Sequence, residues 1–337
     1  MYGGEISPIN IARQGVDFFS AYLFENSLPP LAASVQLTNR CNKNCSVCFE
    51  SEKESKDIDF EVIKKIVNGL DRNGILFLTG GEPFLHPEIW KILGYLKKKE
   101  VNFTICTNGS LLDAENVAKL MNLSPNSIIF SIHGFRELHD KEVGSKSSFR
   151  GVEKAIKELK KREFGGKIIV NTVITSNNYH QLTEIAENFK NIKVDALRFQ
   201  HLSFLREEEF RKMKKELRDS VEYYIGNPKI DLIHLKNEIE KVRKVSAPVF
   251  FIPDLNKSDI ETWYSREDIL NKRCLFIHRG LYVDSGGVGH SCQVIRNKIG
   301  DLKEKSLYDV FNSKKAKIFR KNRKKKLCQA CIRCCKL

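Results

Sequence analysis

Cys41, Cys45 and Cys48 fall inside one ten-residue stretch, CNKNCSVCFE, spaced C-x3-C-x2-C. Thiolates bind soft metals, and the spacing narrows which. Zinc ribbons use C-x2-C pairs with a second pair further along. Three thiolates from one loop suit three irons of a cubane and leave the fourth iron open to another ligand. A second set comes late: Cys274, Cys292, then Cys328, Cys331, Cys334 and Cys335 in the ending CQACIRCC. The start, MYGGEISPIN, has no basic segment followed by an apolar one. Ten cysteines without an export signal point to metal or redox chemistry rather than structural disulfides.

Positioning such a loop takes a scaffold. Apolar β-rich runs at 33–38, 74–79, 102–107, 127–132, 167–175 and 194–199 alternate with amphipathic stretches near 57–71, 86–99, 113–121, 149–163 and 179–190. Repeats of this length predict a parallel sheet with crossover helices. Six units suggest a curved partial barrel, where eight would suggest a closed one. Beyond 205 the pattern changes. Charged helices are expected at 206–225 and 234–245, a hairpin over 275–284 and 288–295, and a helix at 306–321. An amphipathic helix is expected at 9–25.

The loop after the second strand carries the next motif. FLTGGEPFLHPE places Thr79, Gly80, Gly81, Glu82 and Pro83 at that strand's end. Paired glycines allow close backbone approach to a ligand, and Glu82 offers a carboxylate to a cationic group. One βα unit after C-x3-C-x2-C, this combination is specific. Over roughly residues 31–205 the sequence resembles the radical S-adenosylmethionine (SAM) enzymes. The resemblance implies an α/β fold, a partial (β/α)6 TIM-like barrel, with a [4Fe–4S] cluster on Cys41, Cys45 and Cys48 as the catalytic centre. It implies that SAM chelates the open iron. Reductive cleavage would then yield a 5′-deoxyadenosyl radical that abstracts hydrogen from a substrate carbon. Gly80, Gly81, Glu82 and Pro83 match the segment that meets the methionyl amino group. Asn108 of TNG and Ser131 of SIHG match positions beside SAM; Asn171, Arg198 and His201 would lie near the same end. Cys106 is expected in the core. Val47 stands where the family has an aromatic residue, and Phe49 follows Cys48.

Cys274 and Cys292 flank the expected hairpin and could converge on one ion with thiols of the ending; four thiolates also suit zinc. The layout resembles the SPASM and twitch extensions of radical SAM enzymes: a cysteine, then Gly287 with four residues before Cys292, then the helix beginning SLYDVFNS, then C-x2-C. Six thiols cannot fill two four-thiolate cubanes. The resemblance therefore implies one auxiliary [4Fe–4S] cluster, on Cys274, Cys292, Cys328 and Cys331 with Cys334 in reserve. The expected organisation is an N-terminal extension (1–30), the barrel (31–205), a helical linker (206–265) and a small α+β iron–sulfur domain (266–337).

An auxiliary cluster favours oxidation, or C–C or C–S bond formation, and a low-potential electron donor is required. The net charge of +15 favours anionic partners. With the amphipathic N-terminal segment and KNRKKK (321–326), it leans the substrate reading towards a membrane lipid, ahead of a peptide or protein. No apolar run approaches the ~20 residues that span a bilayer. A cytoplasmic protein, peripheral at most to an anionic membrane surface, is expected. The non-enzyme alternative is a zinc or iron–sulfur binding module, either an electron carrier or a nucleic-acid module; the placement of GGEP speaks against it, and nucleic acid is not expected as a partner.

Overall fold

The protein was analysed as a computed structural model that describes residues 28–48, 55–222, 224–265, 274, 276–325 and 329–334. The helix expected at 9–25, Cys328 and Cys335 lie outside the described residues.

Six strands follow the apolar runs: β1 (Ala32–Gln36), β2 (Ile75–Thr79), β3 (Asn102–Thr107), β4 (Ser127–Ser131), β5 (Lys167–Ile174) and β6 (Ala196–His201). They pair in sequence order and all run parallel. Helices α1 (Phe60–Gly69), α2 (Ile89–Lys98), α3 (Ala114–Met121), α4 (Glu137–Glu142), α5 (Ser148–Lys161) and α6 (Leu182–Asn191) fill the connections. Asp59 and Asp113 cap α1 and α3, each carboxylate accepting a first-turn N–H.

Side chains alternate across a strand, so each strand has two faces. Val35, Leu78, Ile105, Phe130 and Val170 share one core with the helices. The other face carries Ser34, Gln36, Thr104, Ser127, Ser131, Asn171 and Arg198. Helix packing explains the first set. The second set lines the inside of the barrel together with Phe77, Ile129 and Ile169, so that face is mixed polar and apolar.

The sheet runs further than the six strands. β9 (Val249–Ile252) adds in parallel to β6, and β10 (Gly280–Val283) in parallel to β1. β11 (Val288–His290) and β12 (Lys298–Asp301) continue antiparallel beyond β10. β9 and β10 are not neighbours, so the barrel stays open. The sequence predicted no strand at 249–252. VFFI is four residues long, behind a proline, and only its place beside β6 makes it a strand.

The stretch 206–265 is not uniformly helical. The helix expected over 206–225 gives way to α7 (Glu207–Arg211) and α8 (Lys215–Arg218), flanked by the two-residue strands β7 (Phe204–Leu205) and β8 (Tyr224–Ile225). Its second half holds α9 (Leu232–Arg243), packed on α6, then β9 and α10 (Lys257–Ser265). The first half joins the C-terminal part instead: Glu222 N–H donates to Val294 O, and Arg296 N–H to Ser220 O. Leu205 and Met213 share a second apolar cluster with Cys292, Ile295 and Ala330. The expected hairpin also begins late, because residues 276–279 form a helical turn, α11 (Phe276–Arg279). The helix expected at 306–321 breaks into α12 (Leu307–Phe311) and α13 (Lys314–Lys325).

Candidate active site

The cysteine loop leaves the C-terminal end of β1, and the loop after β2 is zipped onto it. Gly81 N–H donates to Thr38 O at 2.7 Å, and Glu82 N–H to Arg40 O at 2.8 Å. A Cβ on Gly81 would lie 2.2 Å from Arg40 O, and one on Gly80 2.5 Å from Thr38 O. The paired glycines therefore serve the close approach of two segments of the chain's own backbone. The result is that Glu82 stands next to the strand of chain that delivers Cys41.

Glu82 is completely buried. Its carboxylate accepts from Thr107 Oγ1 at 2.7 Å, Asn108 N–H at 2.7 Å and Phe84 N–H at 3.3 Å. Burial pushes its pKa up to about 7 against the pull of these donors. The same Asn108 donates its side-chain amide to Asn42 Oδ1 at 2.9 Å and lies 3.9 Å from Cys41 Sγ. One residue thus touches both the GGEP carboxylate and the first cysteine.

Cys41 and Cys48 are exposed and Cys45 is half-buried. Burial, then the neighbouring Cys41 and Cys48, pushes the Cys45 thiol up to about 12. Crowded thiols of this kind give up their protons when a metal binds. The loop is held from the other side by α4. Ser46 N–H donates to Glu142 O at 2.8 Å, Asn44 N–H to Val143 O at 3.1 Å, and Lys43 Nζ to Ser145 Oγ at 2.7 Å. The Ser46 hydroxyl donates to one oxygen of Glu142, and Asn177 Nδ2 to the other at 2.8 Å. Sequence reasoning missed Glu142: its partners are 35 and 96 residues away, and nothing local distinguishes it.

The remaining expected SAM contacts form a row. Ser131 pairs in register with Asn171, and Asn171 with Arg198, on the inner face near the strand ends. All three are half-buried, as is Asn108 at the end of β3. Asn171 Oδ1 is buried without a hydrogen-bond partner among the described residues. An acceptor carboxylate, amides, a hydroxyl and a donor arginine are groups that a zwitterionic nucleoside ligand would use. His201 does not join the row. Its Nδ1 meets the Tyr264 hydroxyl at 3.0 Å and its ring packs near Phe251 and Trp263. His133 and His139 are buried, and burial lowers them to about 4 and about 3. They are neutral at physiological pH. Cys106 is half-buried and alternates with the core residue Ile105, so it lies on the inner face rather than in the apolar core.

At the C-terminal end, Cys274, Cys292, Cys331 and Cys334 line one cavity with Ile277, Phe319 and Arg323. The structure thus brings the reserve thiol, Cys334, to the same cavity as Cys274, Cys292 and Cys331. Arg333 lies between the last two. It is buried, donates to Glu209 Oε2 at 2.7 Å and to Trp263 O, and stacks 4.3 Å from the Phe204 ring. Among the described residues no group of three or more His, Cys, Asp or Glu side chains is drawn into a single-ion site.

Comparison with known proteins gives this geometry a context. Residues 35–189 match the Radical SAM superfamily and residues 274–335 match SPASM, an iron-sulfur cluster-binding domain. The tungsten-containing aldehyde ferredoxin oxidoreductase cofactor-modifying protein of Pyrococcus furiosus is 29% identical over 322 residues, spanning 89% of this chain and 86% of its own. The subtilosin biosynthesis protein AlbA of Bacillus subtilis is 32% identical over 181 residues, 52% of this chain and 40% of its own length. In fold, the chain is similar to Streptococcus suis SuiB bound to precursor peptide SuiA. The TM-score is 0.66 at 20% identity, over 97% of this chain and 75% of that one.

Proposed function

Since the chain belongs to the radical SAM superfamily and carries its SPASM iron–sulfur domain, an enzyme binding SAM, a [4Fe–4S] cluster and auxiliary iron–sulfur, we propose the following assignment of its residues and substrate class. Cys41, Cys45 and Cys48 hold the cluster that, with SAM bound, supplies a 5′-deoxyadenosyl radical for hydrogen abstraction. Glu82 receives the methionyl ammonium, on a platform formed by Gly80, Gly81 and Pro83. Asn108, Ser131 and Asn171 serve the polar body of the ligand, and Arg198, the cation of the row, its carboxylate. Asn108 carries this reading, because it touches both Glu82 and Cys41. The auxiliary [4Fe–4S] cluster is held by Cys274, Cys292, Cys331 and Cys334, with Cys328 as the spare thiol. Bound there, the cluster would supply a one-electron acceptor for a substrate radical that is oxidised or closes a C–C or C–S bond.

The substrate class we propose is a cofactor-type organic molecule, bound against the inner face. The support is that the relative matched over nearly its full length is named for modifying a cofactor. A peptide is the second reading, favoured by the fold shared with SuiB, a structure with its precursor peptide bound. The lipid reading rests on the net charge of +15, the N-terminal segment and KNRKKK, and draws no support from these relatives. No helix among the described residues is long and apolar enough to cross a membrane.

The test is release of 5′-deoxyadenosine from SAM and dithionite by the anaerobically reconstituted protein. Parent protein should release it and Cys41→Ala should not. Equal release by both would refute the assignment.

A further inference from the structure

The basic run 321–326 invites a reading as a surface feature, yet one of its members is only partly exposed. Arg323 sits on α13, its guanidinium carbon 4.7 Å from the Phe319 ring, and lines the cavity of Cys274, Cys292, Cys331 and Cys334. Its Nε is buried without a hydrogen-bond partner among the described residues. Arg333, which stands between Cys331 and Cys334 in the sequence, has its charge matched by Glu209. A guanidinium is always protonated and carries no acceptor, so a buried Nε–H without a partner is costly unless an anion faces it.

We propose that Arg323 is the counter-charge of the auxiliary cluster, a positioning residue that sets its reduction potential. This rests on the four-thiolate reading of that cavity. A cubane on four thiolates is an anion, and it becomes more negative when reduced. Hydrogen bonds to its sulfurs and a nearby cation favour the reduced form and raise the potential. Arg323 supplies both at the point where the cavity offers an unpaired N–H. The auxiliary cluster is then poised to accept an electron from a substrate radical rather than to donate one.

The test uses the full chain carrying Cys41→Ala, Cys45→Ala and Cys48→Ala, so that only auxiliary iron remains. The midpoint potential is read by EPR-monitored redox titration, with iron counted in each sample. Adding Arg323→Met should make reduction at least about tenfold less favourable, about 59 mV more negative. Arg323→Lys, which keeps the charge and loses the planar Nε–H, should fall between. If Arg323→Met takes up no iron, restored uptake in Arg323→Lys supports the counter-charge, and loss in both overturns it. Unchanged potentials with about four irons bound overturn the role of Arg323 alone. Absence of iron in the triple-cysteine background overturns the four-thiolate reading itself.

Discussion

Glu82 combines full burial with three donors, and its behaviour with pH follows. Its carboxyl sits at about 7 in the ligand-free protein, above the ordinary value of 4.5. The unfolded chain therefore ionises first as pH rises. Relative to Glu82→Gln, the ligand-free protein should lose about 3 kcal/mol of stability between pH 4.5 and 7, read by chemical denaturation. SAM binding should show the opposite trend, because the ammonium needs the ionised carboxylate. Affinity should rise up to about tenfold per unit as pH approaches 7 and then level off, and Glu82→Gln should flatten the profile. A parent profile as flat as that variant's would contradict the role. Glu142 makes a second residue-scale case. Glu142→Ala removes the acceptor that holds Ser46 and Asn177 together, so the cysteine loop should retain less iron on gel filtration. Retention equal to the parent's would show that the clamp is dispensable. Glu82 was legible in the sequence because GGEP is contiguous. Glu142 was not, because its importance comes from Ser46, 96 positions away.

Among the elements, the βα alternation was readable from periodicity, since each barrel strand has one apolar face and each crossover helix a stripe to match. Elements whose form depends on neighbours were not. β9 is strand only because it lies beside β6, and α11 replaces the start of the expected hairpin where Gly280 comes close to β1. A Cβ on Gly280 would lie 2.7 Å from Ala32 O. The tail is likewise placed by a long-range contact, the buried pair of Arg333 and Glu209, with side-chain exposures of 0% and 3%. Removing one partner leaves a buried charge, so Arg333→Met should cost about 3–5 kcal/mol, read from the urea midpoint. The double change Arg333→Met with Glu209→Leu should recover much of it, since well-packed apolar groups often replace such pairs. An unchanged midpoint in the single variant would show that the pair does not anchor the tail.

For the whole molecule, the ten-stranded sheet from β12 to β9 shares one apolar core, and a second, smaller cluster forms around Cys292 and Ala330. The stretch read as a linker divides between them, which no local signal in 206–265 could disclose. On the proposed assignment, radical generation and electron removal fall to two different sets of cysteines. Cys292→Ala should therefore still release 5′-deoxyadenosine but stop oxidised product from forming; an unchanged product yield would reject a required auxiliary cluster. The central claim is that the loop of Cys41, Cys45 and Cys48 holds a cluster open to SAM. It is tested most directly by EPR of the reduced protein before and after SAM is added. The account predicts that SAM changes the signal of one cluster in the parent and that Cys41→Ala abolishes the change. A spectrum indifferent to SAM in the parent, with iron present at the loop, would contradict it.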